Sequence, residues 1–469
     1  MHQLTIVSRR SFLKLSAASL AALGLSVAQE DSPARDAADV VFINLADTHS
    51  AYDNYPRLLE TLRSLIADYG DTPVYILFNG DIFELGNVVA ARSQGEADWE
   101  FLRALQALAP VIVNLGNHEF HFMPPEDFVA AAQAEGITVI GNILSRDSGM
   151  LIAPAFVTVA AGDYTIDVIG TATNAANTYP ASLREDLVLP QSSTWLASSL
   201  NSFARSDFAV LMSHAGVVDD RRTLPTLPEQ MLFAVGGHDH LVLHEVLLHP
   251  EVEGLHYLHN GFKAERFNIA ELRLHDEGHV EAHYRDVMLL ADLPEDEALQ
   301  QRIAALREQH LEPADLAVLG SMERDYSVRE AAQWAVETLR EATGADVAML
   351  NHTSFGSGLA AGEVPLYRFN EFLRFDNDVM RAEVDGETLQ AILAIANQDA
   401  DTPLDMRTGD FVYSTALEPQ AGERYVMVTS SWIALPFNVG LYLGVEGIAF
   451  EQLPDISVKG LLRQALADA

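Results

Sequence analysis

Along the N-terminal half, short apolar runs alternate with stretches whose apolar residues recur every three or four positions. Val40 to Ala46 is apolar but for Asn44 and predicts a buried strand. Leu58, Leu59, Leu62, Leu65 and Ile66 follow at helical spacing, and Val74 to Phe78 is the next strand. Trp99, Leu102, Leu105 and Leu108 mark a second helix, Val111 to Leu115 a third strand. Pro124-Pro125-Glu126 opens a helix through Gln133, and Val139 to Ile143 follows as a strand. Phe156 to Ala160 and Tyr164 to Ile169, split by Gly162-Asp163, predict a hairpin. Trp195 to Phe203 is a further helix, Phe208 to Met212 and Leu232 to Val235 are strands, and His240 to Arg285 is mostly strand. Strands alternating with helices predict a layered α/β domain.

The pattern changes near Ala291. A helix from Leu293-Pro294-Glu295 to about Gln309 reads as a connector, and a second unit follows. There the spacing predicts a helix over Val328 to Thr343, a strand over Asp346 to Asn351 and a helix over Tyr367 to Phe372, then strands and turns to the C-terminus.

Composition adds limits. The 469 residues contain no cysteine, which excludes disulfides, thiolate ligands and cysteine nucleophiles. Ser8-Arg9-Arg10-Ser11-Phe12-Leu13-Lys14, the apolar stretch to Leu25 and the small residues Ser26-Val27-Ala28 predict a signal peptide over residues 1–28. The paired arginines resemble a twin-arginine export signal, so a periplasmic or extracellular location is expected, with no membrane anchor. Beyond residue 28 the chain carries 26 Lys+Arg against 67 Asp+Glu, a net charge of -41. Such a surface repels nucleic-acid polymers and anionic membranes, so an anionic substrate would need positive charge supplied by the site itself. Only Lys14, Lys263 and Lys459 are lysines.

The candidate chemistry sits where strands end. Val40 to Ala46 runs into Asp47-Thr48-His49, and Val74 to Phe78 into Asn79-Gly80-Asp81. Val111 to Leu115 runs into Gly116-Asn117-His118-Glu119, and Phe208 to Met212 into Ser213-His214-Ala215-Gly216. Leu232 to Val235 ends in Gly236-Gly237-His238-Asp239-His240. In open α/β sheets, sites form outside the C-terminal ends of strands, so residues distant in sequence converge there. Asp and His suit divalent transition ions, and Asn adds a carbonyl oxygen. So many ligands suit two ions sharing a carboxylate, which clamp both oxygens of an in-line displacement. His244, His249, His256 and His259 do not repeat the ligand spacing and are expected to be surface or satisfied core residues.

These five motifs resemble those of the calcineurin-like metallophosphoesterases, over roughly residues 40 to 270. The two-part layout resembles the 5'-nucleotidase/UDP-sugar hydrolase branch. The resemblance implies a four-layer αββα domain over residues 36–290, a linker helix over 291–312 and a smaller α+β substrate-binding domain over 313–469. It implies that Asp47, His49 and His240 hold one divalent ion, that Asn117, His214 and His238 hold the other, and that Asp81 bridges them. His118 would face the phosphoryl group without being a ligand. The ions would be Mn, Zn, Fe or Co, and the substrate a nucleotide or other small phosphoester. The branch has Asp where this chain has His121, which is expected to accept a hydrogen bond from His118 when neutral.

In the second unit the resemblance points to Asn351, Phe375 and Trp432 as substrate contacts, the two rings as a base clamp. The family's arginine five residues after Asn351 is Gly356 here, and Arg374 is the candidate replacement; Asn438 stands near the family's ribose-binding Asp. These departures leave open a thiosulfohydrolase-like enzyme with a non-phosphate substrate, or a metal-loaded binding module without catalysis.

Overall fold

The computed structural model describes residues 38–203, 206–248, 254–275, 280–396 and 409–468. The expected signal peptide and His249 lie outside the described residues. The chain divides into two compact units, one comprising the residues to Glu84 and Arg92–Glu308, the other Leu85–Ala91 and Gln309–Ala469.

The first unit contains two six-stranded sheets. One has the order Val280–Met288, Arg266–Leu274, Val40–Leu45, Val74–Phe78, Val111–Asn114, Thr138–Ile140. Its last four strands are parallel, the arrangement that helix crossovers produce. The other has the order Val242–Leu247, Leu255–Asn260, Met231–Gly236, Phe208–His214, Tyr164–Ala172, Phe156–Ala161, with its four middle strands parallel. Phe42, Leu77 and Ile112 of the first sheet pack against Val168, Val210 and Phe233 of the second in one buried core. Helices Glu96–Leu108 and Pro125–Ala134 cover the first sheet, and Ser192–Phe203 the second. This is the expected αββα layering: each helix turns one apolar stripe inward, as Glu96–Leu108 does with Phe101, Leu102 and Leu105.

The expected connector is the helix Glu297–His310. It buries Leu299, Ile303 and Leu306, and Arg302 pairs with Glu96 and Glu100 of the first unit. The strand expected at Val139 to Ile143 is shorter, Thr138–Ile140.

The second unit has a five-stranded mixed sheet in the order Val412–Ser414, Val347–Asn351, Arg424–Ser430, Asp378–Asp385, Glu451–Ser457. Helix Val328–Thr343 buries Ala331, Ala332, Ala335, Val336 and Leu339. A Ser327/Glu330 capping box starts it, and Gly344 ends it at φ 65. The expectation of only strands and turns toward the C-terminus is corrected by helices Gly386–Leu393, Pro436–Leu443 and Val458–Asp468. The last buries Val458, Leu462 and Leu466, a single stripe four residues apart. Among the described residues no helix is long and apolar enough to cross a membrane.

Candidate metal centre

The parallel strands of each sheet end at one edge, and all five motifs leave the strands there. The turns they form are unusual. Asp47, His49, Asp81, His238 and His240 all adopt positive φ, between 46 and 80. Left-handed non-glycine backbone costs on the order of 1–3 kcal/mol per residue and persists only where surroundings dictate it. The neighbouring amides show what dictates it. Asp47, His49 and Ser50 donate their N–H groups to the carbonyls of Gly80, Asp81 and Ile82, at 3.0, 3.0 and 2.8 Å. Gly80 has to be glycine: its φ is 78, and a Cβ there would lie 2.7 Å from His214 Nδ1.

The side chains gather into donor groups of metal-ligand geometry. Asp47, His49 and His240 form one; Asp81, His214 and His238 form another. Nε2 of His49 lies 2.8 Å from Nε2 of His240, and Asp47 Oδ1 is 3.7 Å from His240 Nε2. Asp81 stands between the groups, Oδ2 at 3.7 Å from His49 Nε2 and Oδ1 at 3.2 Å from His214 Nε2. Asn117 joins the second group, its Oδ1 3.0 Å from His238 Nδ1. Its Nδ2 donates to the Thr178 carbonyl at 3.3 Å, which orients the amide with oxygen toward the centre.

The outer atoms of the ligand rings are held. His214 Nδ1 donates to the Asn79 carbonyl at 2.7 Å, leaving Nε2 to face the centre. His49 Nδ1 faces Glu84 Oε2 at 3.5 Å. Glu119 accepts from the Ile82 and Gly116 amides at 2.9 and 2.6 Å, bracing the turns that carry Asp81 and Asn117.

The electrostatics call for a cation. Burial pushes Asp47 well above the usual carboxylate range, against the pull of His214. Burial would raise Asp81 as well, but His214, His118 and His49 hold it well below that range. Burial disfavours charge on His214, yet Asp81 and Asp47 push it up to about 10. The buried Nε2 of His214 faces both carboxylates, Asp81 Oδ1 at 3.2 Å and Asp47 Oδ1 at 3.9 Å. A ring forced toward a cation between two buried carboxylates is a site that a divalent ion fits.

His118 is buried, with Nε2 3.8 Å from Asp81 Oδ2. It also forms a ligand-capable group with His49 and Asp81. Its Nδ1 bonds to the Phe83 carbonyl at 3.2 Å, not to the expected acceptor His121. His121 stands edge-on to the His118 ring at 4.2 Å between centroids. A backbone carbonyl thus holds the ring where an acceptor side chain was expected. His259 is buried against the Tyr257 hydroxyl at 2.6 Å, its pKa pushed down to about 3 by burial, and His244 bonds to His256 at 2.8 Å.

The second unit disposes the other expected site residues differently. Asn351 is buried and spends its side chain locally, donating to Thr353 Oγ1 at 2.8 Å and accepting from Ser354 Oγ at 2.7 Å. Arg374, the candidate replacement for the family's arginine, is only 7% exposed; its guanidinium lies over the exposed Phe375 ring at 5.1 Å and donates to the Thr353 carbonyl. A Cβ at Gly356 would lie 2.4 Å from the Glu371 carbonyl oxygen and 3.0 Å from Arg374 Cγ, so no side chain fits there beside this arginine. Trp432 packs against the core and meets Phe437 edge-on at 6.3 Å. Asn438 is 2% exposed and donates to the Trp432 carbonyl at 2.8 Å.

Sequence reading missed Glu84, Asn79, Asn114 and Lys263 as supports of this centre. Asn79 and Glu84 flank Asp81 closely, the one available signal; Lys263 stood out only by the rarity of lysine.

Residues 40–242 match the calcineurin-like phosphoesterase family, and residues 314–433 match the 5'-nucleotidase C-terminal domain. No curated protein sequence matches the chain. Among solved structures, the 5'-nucleotidase precursor of Thermus thermophilus is 14% identical with a TM-score of 0.62, covering 92% of this chain and 96% of that one. The sulfate thiohydrolase SoxB of Thermus thermophilus is 14% identical with a TM-score of 0.64, covering 94% and 95%. The 5'-nucleotidase of Candida albicans is 13% identical with a TM-score of 0.59, covering 92% and 98%. At these identities the likeness is one of fold. With both domain families matched in order, the chain belongs to the calcineurin-like metallophosphoesterases of the 5'-nucleotidase family, which are metal-dependent phosphoester hydrolases.

Proposed function

We propose that the protein is an exported two-metal phosphohydrolase acting on nucleotides or related small phosphoesters, cyclic ones included. One observation carries this reading: Asp81 lies between two groups of donors, its two oxygens turned to His49 and His214. Asp47, His49 and His240 would hold one ion, Asn117, His214 and His238 the other, and Asp81 both. Bound divalent ions, Mn, Zn, Fe or Co, would draw in the phosphoryl oxygens, offset their charge and lower the pKa of water. His118 has its Nδ1 directed at the Phe83 carbonyl. Its protonated form therefore presents the Nε2 hydrogen to the leaving oxygen. Export rests on the Arg9-Arg10 signal pattern.

A second reading has observations of its own. The inward-turned Asn438 and the Gly356–Arg374 exchange alter the expected nucleotide contacts, and the sulfate thiohydrolase shares the fold. Both readings meet one experiment. Protein stripped of metal and refilled with Mn, Zn, Fe or Co is given nucleoside monophosphates, UDP-glucose, 2',3'-cyclic nucleotides and a thiosulfonate conjugate. Phosphate release from any phosphoester supports the first reading. Sulfate release with no phosphoester turnover replaces it by the second, and metal binding with no turnover leaves a binding module.

A further inference from the structure

We infer that Lys263 is a positioning residue for one of the two ion sites, the one formed by Asp47, His49 and His240; the inference rests on the two-ion reading. The turn at 47–50 has positive φ at Asp47, His49 and Ser50. Its amides are satisfied from one side, by the carbonyls of Gly80, Asp81 and Ile82. Two of its carbonyls, those of Asp47 and His49, are met from the other side by one residue. The backbone N–H of Lys263 donates to the Asp47 carbonyl at 2.8 Å, and its Nζ donates to the His49 carbonyl at 2.7 Å. Both bonds are made from within the fold, since Lys263 is 8% exposed.

Lys263 is itself held in place. Its φ is 58 and that of Ala264 is 55, and its carbonyl accepts from Asn54 Nδ2 at 2.9 Å. The preceding Phe262 lays its ring flat on His240, with centroids 4.8 Å apart and planes 6° apart. Two successive residues thus brace three ligands of one ion: Lys263 holds the backbone of Asp47 and His49, and Phe262 holds the ring of His240. Lysine suits the task because its four-carbon stem reaches the His49 carbonyl and delivers a charged donor to it within the fold. In so acidic a chain, with three lysines in 469 residues, this one is spent on a buried contact at the site.

The test uses the full chain stripped of metal and refilled with Mn(II), read by metal content after dialysis and by electron paramagnetic resonance. Wild type is expected to hold two ions with the signal of an exchange-coupled pair. Lys263→Met is expected to keep one ion with an uncoupled signal, the affinity for the other falling about 10–100-fold, as when groups orienting metal ligands are removed. Lys263→Arg, which retains the charged donor, is expected to restore part of the coupled signal. Phe262→Leu is expected to show the same selective loss and decides the matter if Lys263→Met does not fold. Two coupled ions of unchanged affinity in both Lys263→Met and Phe262→Leu, or loss of both ions together, overturns the inference. If wild type itself holds fewer than two ions, the two-ion reading fails and the inference falls with it.

Discussion

The side-chain amide of Asn114 donates to Oδ1 of Asn79 at 2.9 Å, and the pair ties the two sheets together beneath the metal centre. Asn114 Nδ2 also reaches the carbonyls of Thr171 and Met212, at 2.8 and 3.1 Å. Asn79 Nδ2 donates to the carbonyls of Ser213 and Val235, at 2.8 and 3.2 Å. Two amides of the first sheet thus serve four carbonyls of the second, just before the residues that present His214 and His238. Asn114→Leu keeps the bulk and removes the donors, stranding buried acceptors. Urea unfolding of metal-free protein is expected to show a loss of about 2–4 kcal/mol. A loss below about 0.5 kcal/mol would mean the pair does not hold the sheets.

Glu84 faces the outer nitrogen of His49 at 3.5 Å. A carboxylate there fixes the ring and raises the basicity of Nε2. Glu84→Gln is expected to lower metal affinity about 10–100-fold, measured by competition with a chromogenic chelator. An unchanged affinity would make Glu84 a bystander.

His118→Ala is expected to leave the metal content of refilled protein unchanged while kcat falls about 10²–10⁴-fold, the range for loss of a general acid. Parallel loss of metal would instead make His118 a ligand, as its ligand-capable grouping with His49 and Asp81 permits.

Asp98 gives a pH dependence beside the ligand turn, through Ser50. It is buried and accepts hydrogen bonds from Ser50 Oγ, Tyr52 OH and Tyr55 OH, at 3.2, 2.7 and 2.8 Å. Burial, opposed by these hydroxyls, pushes its pKa up to about 7. The folded state therefore binds more protons than the unfolded state between the ordinary carboxylate pKa, about 3.9, and about 7. This group's contribution is fully present below that window and is lost as pH rises through it. Against Asp98→Asn, wild type is expected to lose on the order of 2–4 kcal/mol of unfolding free energy from pH 4 to pH 8. Parallel stability–pH curves for the two proteins would contradict this.

The parts of the site legible in the sequence were those written as local grammar. Asp47, Asp81, Asn117, His214 and His238 each follow an apolar run closely, so strand ends could be found and their convergence inferred. Their supports were not legible because they act across the fold. Asn79 meets a carbonyl 134 positions away, and Lys263 meets one 214 positions away. A backbone acceptor leaves no mark in a sequence either, so the expected partner of His118 was His121 when it is the Phe83 carbonyl. Helix Val458–Asp468 was masked by Pro454 just upstream and by a short stripe that a strand reading also accommodates.

The central claim, that two ions act together at this centre, is tested most directly by phosphate release from metal-stripped protein as Mn(II) is added, using the best phosphoester substrate. The account predicts almost no release without metal and a rise that levels off at two ions per chain. Asp81→Asn should show little release at any loading. Full turnover in stripped protein under chelator, or a plateau at a single ion, would contradict it.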